Sequence, residues 1–314
     1  MKLGIDMGGM SIKMGLVNEE NKIIGRITIP TDLTVPYQTL VERMADAVRQ
    51  MLENAGMTLE QCGGIGIGSP GTIDAKQGVI LYSNNFGWEN VPIVEELKKH
   101  LDTRIEIAND ADAAALGEVC AGAAEGAENA VLLTLGTGVG SGVILDKKIF
   151  RGAMPGGCEL GHLSIRYDGI RCTCGRKGCL EAYASASALL RIAREKAAEH
   201  PEPIMNEMCG NDLEQMNGKI PFDAAKAGDE AGMETVKEYE GYLACGIANV
   251  INTFRPEKVI LGGGVAAQKD NLTAPLKDLV KDMCFGGSHG HIADIVTSVL
   301  GNDAGIIGAA NLVV

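Results

Sequence analysis

The sequence lacks three features, and each absence narrows its class. It has no excess of positive charge: 41 acidic and 28 basic side chains give a formal charge of −13. A chain without a Lys/Arg stripe repels phosphate backbone, so nucleic acid is not the expected partner. It has no long apolar run. The longest uncharged stretch, Ala130–Leu145, is too short and too interrupted by Gly to cross a bilayer, so no membrane association is expected. It has no even set of cysteines, since nine cannot all pair in a complete disulfide framework. Nor does Met1-Lys2 open a leader; it runs directly into an apolar, Gly-bearing pattern. The expectation is a cytoplasmic protein whose clustered Cys are metal ligands.

The chain holds 46% apolar and 22% charged residues over 314 positions, enough for packed cores and about two domains. Its 42 Gly cluster at a few places, as tight turns and close backbone–ligand approaches require. Extended segments are expected at Leu3–Asp6, Ser11–Val17 and Lys22–Ile29, with Gly8-Gly9 between the first two. A helix over Tyr37–Asn54 places Leu40, Met44, Val48 and Met51 on one face. Strands at Gly63–Gly68 and Arg104–Ala108, a helix over Pro92–Leu101, and an Ala-rich helix after Asn109-Asp110 follow. The second half repeats this order: Ala130–Leu135, the turn Gly136–Gly140, then Ser141–Leu145. Helices near Leu180–Glu199 and Met233–Phe254, strands at Lys258–Leu261 and Asp294–Val299, and an apolar helix over Asp303–Leu312 complete it. Alternating strands and helices indicate α/β layers, and the recurring hairpins an internal duplication.

Four features carry chemistry. A Gly pair between strands aims main-chain N–H groups into an anion-binding hollow, with Asp6 placed to hold Mg²⁺ and Lys13 to add positive charge; an ordinary Gly hairpin has the same pattern. Gly136-Thr137-Gly138 repeats the device, and Gly262-Gly263-Gly264 after a strand offers backbone to a nucleotide. Asp110, following a strand with Asn109 beside it, suits a base that takes a proton from a hydroxyl nucleophile. Capping the next helix is the competing role for either residue. His162 with Cys172, Cys174 and Cys179 supplies one imidazole and three thiolates, a closed tetrahedral set for structural Zn²⁺. Free or redox-active thiols are the alternative. Glu159 and Glu181 bracket the cluster, so the metal can order a loop with polar contacts. His289-x-His291 reads as a solvated Gly-rich loop, and Trp88 as a core or stacking residue.

In this order the motifs resemble the ROK family of repressors and sugar kinases, and its glucokinases in particular. Cys172–Glu181, preceded by Glu159-Leu160-Gly161-His162, carries the likeness most specifically. The resemblance implies an actin/hexokinase-like (ribonuclease H-like) α/β fold of two domains closing over the substrates. The boundaries it suggests are 1–112 joined by helix 301–314, and 113–300. It implies ATP-dependent phosphorylation of glucose at O6, with Asp110 as general base and Gly71, Asn109, Glu159, His162 and Glu181 as sugar contacts. Asp6, Gly8, Gly9, Lys13, Gly136, Thr137 and Gly138 then serve Mg²⁺ and phosphates, and Gly262, Gly263 and Gly264 the adenosine side. It also implies a homodimer. Met10 stands where the family has Thr, which removes one hydroxyl from the first phosphate turn. N-acetylmannosamine and other hexoses are the rival substrates, and a non-catalytic sugar sensor the rival role. A repressor needs a DNA-binding module before the sugar domain, and with five residues before Asp6 no such module is expected.

Overall fold

A computed structural model describes residues 1–200, 204–287, 289–290 and 292–313. By contact the chain forms two compact units, one of residues 1–132, 142–158 and 299–314, the other of residues 133–141 and 159–298.

The chain enters through strands β1 (Lys2–Met7), β2 (Ser11–Val17) and β3 (Ile23–Pro30). Helix α1 (Tyr37–Asn54) follows, burying Leu40, Met44, Val48 and Met51 as the 3.6-residue period requires. Next come β4 (Ile65–Ser69), β5 (Thr72–Asp74), β6 (Val79–Ser83), β7 (Trp88–Val91), α2 (Ile93–Lys98), β8 (Ile105–Asn109) and α3 (Asp110–Ala121). The first sheet has the order β3-β2-β1-β4-β8. β1 and β2 pair antiparallel, whereas β1 with β4 and β4 with β8 pair parallel. β5, β6 and β7 make a separate three-stranded sheet that the residue pattern does not announce. Trp88 packs there, 4.9 Å from the Phe86 ring and 6.1 Å from Tyr37, which settles it among core aromatics.

The later elements are β9 (Ala130–Leu135), β10 (Val139–Leu145), β11 (Lys148–Ile149), α4 (Glu181–Ala184), α5 (Ala186–Glu199), α6 (Ile204–Met208), α7 (Ile220–Lys226) and α8 (Glu230–Phe254). β12 (Lys258–Gly262), α9 (Asp270–Met283), β13 (Asp294–Thr297) and α10 (Asp303–Ala310) complete the chain. A second five-stranded sheet has the order β11-β10-β9-β12-β13. Each large sheet therefore places a three-strand meander beside two further strands in the same sequence, the topological signature of a duplication. The helix expected over Leu180–Glu199 is broken at Ser185, which turns extended (ψ 168°) and accepts the Ala188 amide as an N-cap. The helix expected from Asp303 ends at Ala310, and residues 311–313 tighten into a 3₁₀ turn.

α10 lies against β1, β2 and β4 and crosses α3, all within the first unit. Its approach to β4 leaves no space for a side chain: a Cβ on Gly66 would lie 1.7 Å from the Ala309 carbonyl oxygen. The fully buried Glu118 of α3 accepts the amides of Ala123 (2.7 Å), Val299 (3.2 Å) and Leu300 (3.1 Å), so the strand-to-α10 connection is fastened to α3. Among the described residues no helix is long and apolar enough to cross a membrane.

One buried carboxyl predicts how stability in the second unit varies with pH. Glu240 on α8 is 6% exposed, and its Oε1 finds no hydrogen-bond partner among the described residues. Burial pushes its pKa up to about 7, above its unfolded value of 4.5. Such a group stabilises the fold below pH 4.5, and that contribution disappears as pH rises through 7. Glu240→Gln is therefore expected to gain stability relative to wild type between pH 6 and 8. Urea midpoints of both proteins across that range check it; a pH-independent difference would contradict it.

Candidate active site

Parallel pairing brings the ends of β1, β4 and β8 together. Asp6 aligns with Gly68, and Ser69 with Asn109, so Asp6 and Asn109-Asp110 emerge at the same carboxyl edge, where open α/β sheets place their ligands. Lys13 on β2 stands opposite Asp6. Asp6 and Asp110 are close enough for the Asp110 charge to act on Asp6. Burial raises the pKa of Asp6, with Lys13 opposing and Asp110 adding to the rise. Burial also raises Asp110, against amide and Asn109 hydrogen bonds that lower it.

The helix cap is Asn109. Its Oδ1 accepts the Ala111 amide at 2.9 Å and the Asp112 amide at 3.4 Å, while Nδ2 donates to the Gly71 carbonyl at 3.1 Å. Asp110 accepts the Ala111 amide at 3.0 Å and a hydrogen bond from the Asn109 side chain. Two roles that the sequence leaves interchangeable are thus divided between neighbours. Gly71 holds φ +118°, and a Cβ there would fall 2.2 Å from the Tyr82 carbonyl oxygen, so only Gly presents this carbonyl to Asn109.

The first glycine turn is closed by the Gly8 amide on the Ser11 carbonyl at 3.0 Å. Thr31, which the motif reading passes over, donates its hydroxyl to the Gly8 carbonyl at 2.6 Å and its amide to Met10 O at 3.1 Å. The pairing of β2 with β3, Ser11 opposite Pro30, delivers Thr31 to that position. The Met10 side chain is 90% exposed.

In the second unit, the Gly136 amide donates to the Gly138 carbonyl at 3.0 Å to close the second turn. Gly263 (φ +81°) packs against Leu135, so the third glycine run adjoins this turn. His162, Cys172, Cys174 and Cys179 converge, their ligand atoms all within 4.8 Å of one another. His162 Nδ1 lies 3.7 Å from Cys172 Sγ, and the sulfurs of Cys174 and Cys179 are 3.6 Å apart. Thiolates about 2.3 Å from a tetrahedral zinc ion would stand roughly 3.7 Å apart, so the spacing fits that ion, whereas a disulfide needs about 2.05 Å. Burial and the neighbouring sulfurs push the Cys179 thiol up to about 12, while the Arg176 amide leads the effects that lower Cys174. Coordination through Nδ1 leaves Nε2 of His162 for another partner. Of the second histidine pair, His291 lies outside the described residues.

A model of the ROK family matches residues 2–314. The chain belongs to the ROK family. Within it, the glucokinase of Thermotoga maritima is 36% identical over 312 residues, spanning 99% of this chain and 96% of that one. Among solved ROK structures, a glucokinase from Streptomyces griseus in complex with glucose and AMPPNP matches at 31% identity. It covers 99% and 98% of the two chains with a TM-score of 0.78. A ROK hexokinase from Thermus thermophilus matches at 31% identity, 99% and 97% coverage and a TM-score of 0.80. The duplicated α/β sheets are accordingly those of the actin/hexokinase-like fold.

Purified protein is expected to hold one zinc per chain by elemental analysis, and Cys174→Ser to lose most of it. Full zinc occupancy in that variant would contradict the tetrahedral assignment.

Proposed function

We propose that this ROK protein is a glucokinase that transfers the γ-phosphoryl group of ATP to O6 of glucose. The observation that carries the reading is the Asp110 carboxylate at the strand edge, beside Asp6 and the Gly8-Gly9 turn, in a chain alike along its length to glucokinases. Phosphoryl transfer asks little covalent chemistry of a protein; it needs an oriented alcohol, a proton acceptor and neutralised phosphates.

Asp110 takes the C6 hydroxyl proton as O6 forms its bond to the γ-phosphorus and the bond from that phosphorus to the bridging oxygen breaks, leaving ADP. Burial raises the basicity of Asp110, which improves the driving force for that transfer. Asn109, fixed at both ends of its amide, stands at the sugar side of Asp110, and Gly71 holds Asn109 in that pose. Glu159, His162 through Nε2, and Glu181 supply the remaining hydroxyl contacts. The amides of Gly8, Gly9, Gly136 and Gly138, with Thr137 and Lys13, receive phosphate oxygens, and Gly262–Gly264 lines the adenosine. Asp6 would hold Mg²⁺, which when bound would supply positive charge to the phosphates. His162, Cys172, Cys174 and Cys179 would hold Zn²⁺ in a structural role, because four protein ligands would leave it no open position. The cysteines form no disulfide among the described residues, in keeping with a cytoplasmic protein, and membership of this family supports a homodimer.

Two measurements test the reading. In a panel of hexoses with ATP, followed by coupled ADP release, glucose is expected to give the highest kcat/KM; a best value on N-acetylmannosamine would reassign the substrate. Asp110→Asn is expected to bind glucose nearly as wild type while kcat falls by roughly 10²–10⁴-fold, the usual worth of a general base. Undiminished turnover would leave Asp110 no more than a helix-end residue.

A further inference from the structure

The segments that supply the metal ligands also build the second glycine turn. Glu181 lies two residues beyond Cys179, and its Oε2 accepts the Val139 amide at 3.0 Å. The contact is close: a Cβ on Gly138 would lie 2.3 Å from that oxygen. The other oxygen, Oε1, accepts the Thr173 hydroxyl at 3.1 Å and the Cys172 thiol at 3.5 Å. Further along, the Ala186 amide donates to Gly136 O at 2.8 Å and Ser187 Oγ to Thr137 O at 2.9 Å.

The histidine arm reaches the same residues. The Leu160 amide donates to Ser141 Oγ at 2.9 Å, and a Cβ on Gly161 would meet the Val139 carbonyl oxygen at 2.0 Å. Residues 136–141 are therefore gripped by 160–162 and by 172–187, the two pieces of chain that four metal ligands would tie together.

Residues 173–177 are exposed and carry Gly175 at φ +90°, so little packing of their own holds them. We infer that metal binding at His162, Cys172, Cys174 and Cys179 sets the nucleotide affinity of the Gly136–Gly138 turn, with Thr173 and Glu181 as the positioning residues that connect the two. Metal bound, the ordered Thr173 hydroxyl fixes Glu181 Oε1, and Oε2 fixes the Val139 amide, so the turn meets phosphate already ordered. Metal removed, that chain loosens, and the ordering must occur on binding, which lowers affinity. The inference rests on reading Gly136–Gly138 as a phosphate turn, and the experiment separates the two claims.

Isothermal titration with MgADP, without sugar, is made on zinc-loaded, chelator-depleted and zinc-restored protein. Depletion is expected to weaken binding about tenfold, some 1.4 kcal/mol, and zinc to restore it. Thr173→Val leaves every ligand in place and is expected to keep its zinc and its melting temperature while weakening MgADP about threefold. It decides the question alone if depletion unfolds the chain. Gly136→Val, at a position with open space around its Cβ, is expected to block MgADP in the loaded protein. If Gly136→Val binds normally, the phosphate-turn reading falls. If it blocks binding while depletion and Thr173→Val change nothing, the turn stands and the coupling is overturned.

Discussion

The chemistry proposed for this protein depends on two carboxylates held together against their mutual repulsion. Asp6 and Asp110 would separate in a flexible chain; here the parallel register of β1, β4 and β8 fixes them at one sheet edge. Burial disfavours the ionised form of each, and Lys13 offsets part of that cost at Asp6. The result divides the labour between similar groups. The carboxylate opposite the lysine suits the metal–phosphate side, and the other retains raised basicity for the alcohol. Asn109 makes this possible by capping α3 itself, so that Asp110 need not.

Packing holds that edge in place. α10 approaches β4 so closely that Gly66 cannot be replaced by any larger residue without moving the helix. Glu118 secures the approach to α10 with three amide hydrogen bonds on one buried carboxylate. In the second unit the equivalent ordering falls to the His/Cys cluster, whose connecting residues brace a glycine turn too short to brace itself. A small loop without a core of its own gains more from an ion than a strand edge would.

Much of this was legible in the residues. The strand–glycine–strand pattern around Gly8 and Gly136 announced two similar halves, and both large sheets repeat one strand order. The spacing of Cys172, Cys174 and Cys179 with His162 announced a tetrahedral set, and the ligand atoms converge. What stayed hidden were contacts made by residues of ordinary type. Thr31, Thr173 and Ser187 hold turns through single hydroxyls, and a hydroxyl has no periodicity to betray it. The β5–β7 sheet escaped because its strands are short and include exposed Tyr82 and Glu89, which blurs alternation. The break at Ser185 escaped because Ala and Leu on both sides favour helix, and the cap is visible only once the turn it serves is placed.

The central claim is that Asp110, as its carboxylate, accepts the proton of the attacking alcohol. Its burial raises the pH at which it becomes ionised, so the base form is lost on the acid side at a higher pH than for an unperturbed aspartate. The most direct measurement is kcat against pH at saturating glucose and MgATP, for wild type, Asp6→Asn and Asp110→Asn. The account expects an acid limb in wild type that persists in whatever turnover Asp6→Asn retains and is absent from the residual turnover of Asp110→Asn. An acid limb unchanged in Asp110→Asn would show that some other group takes the proton.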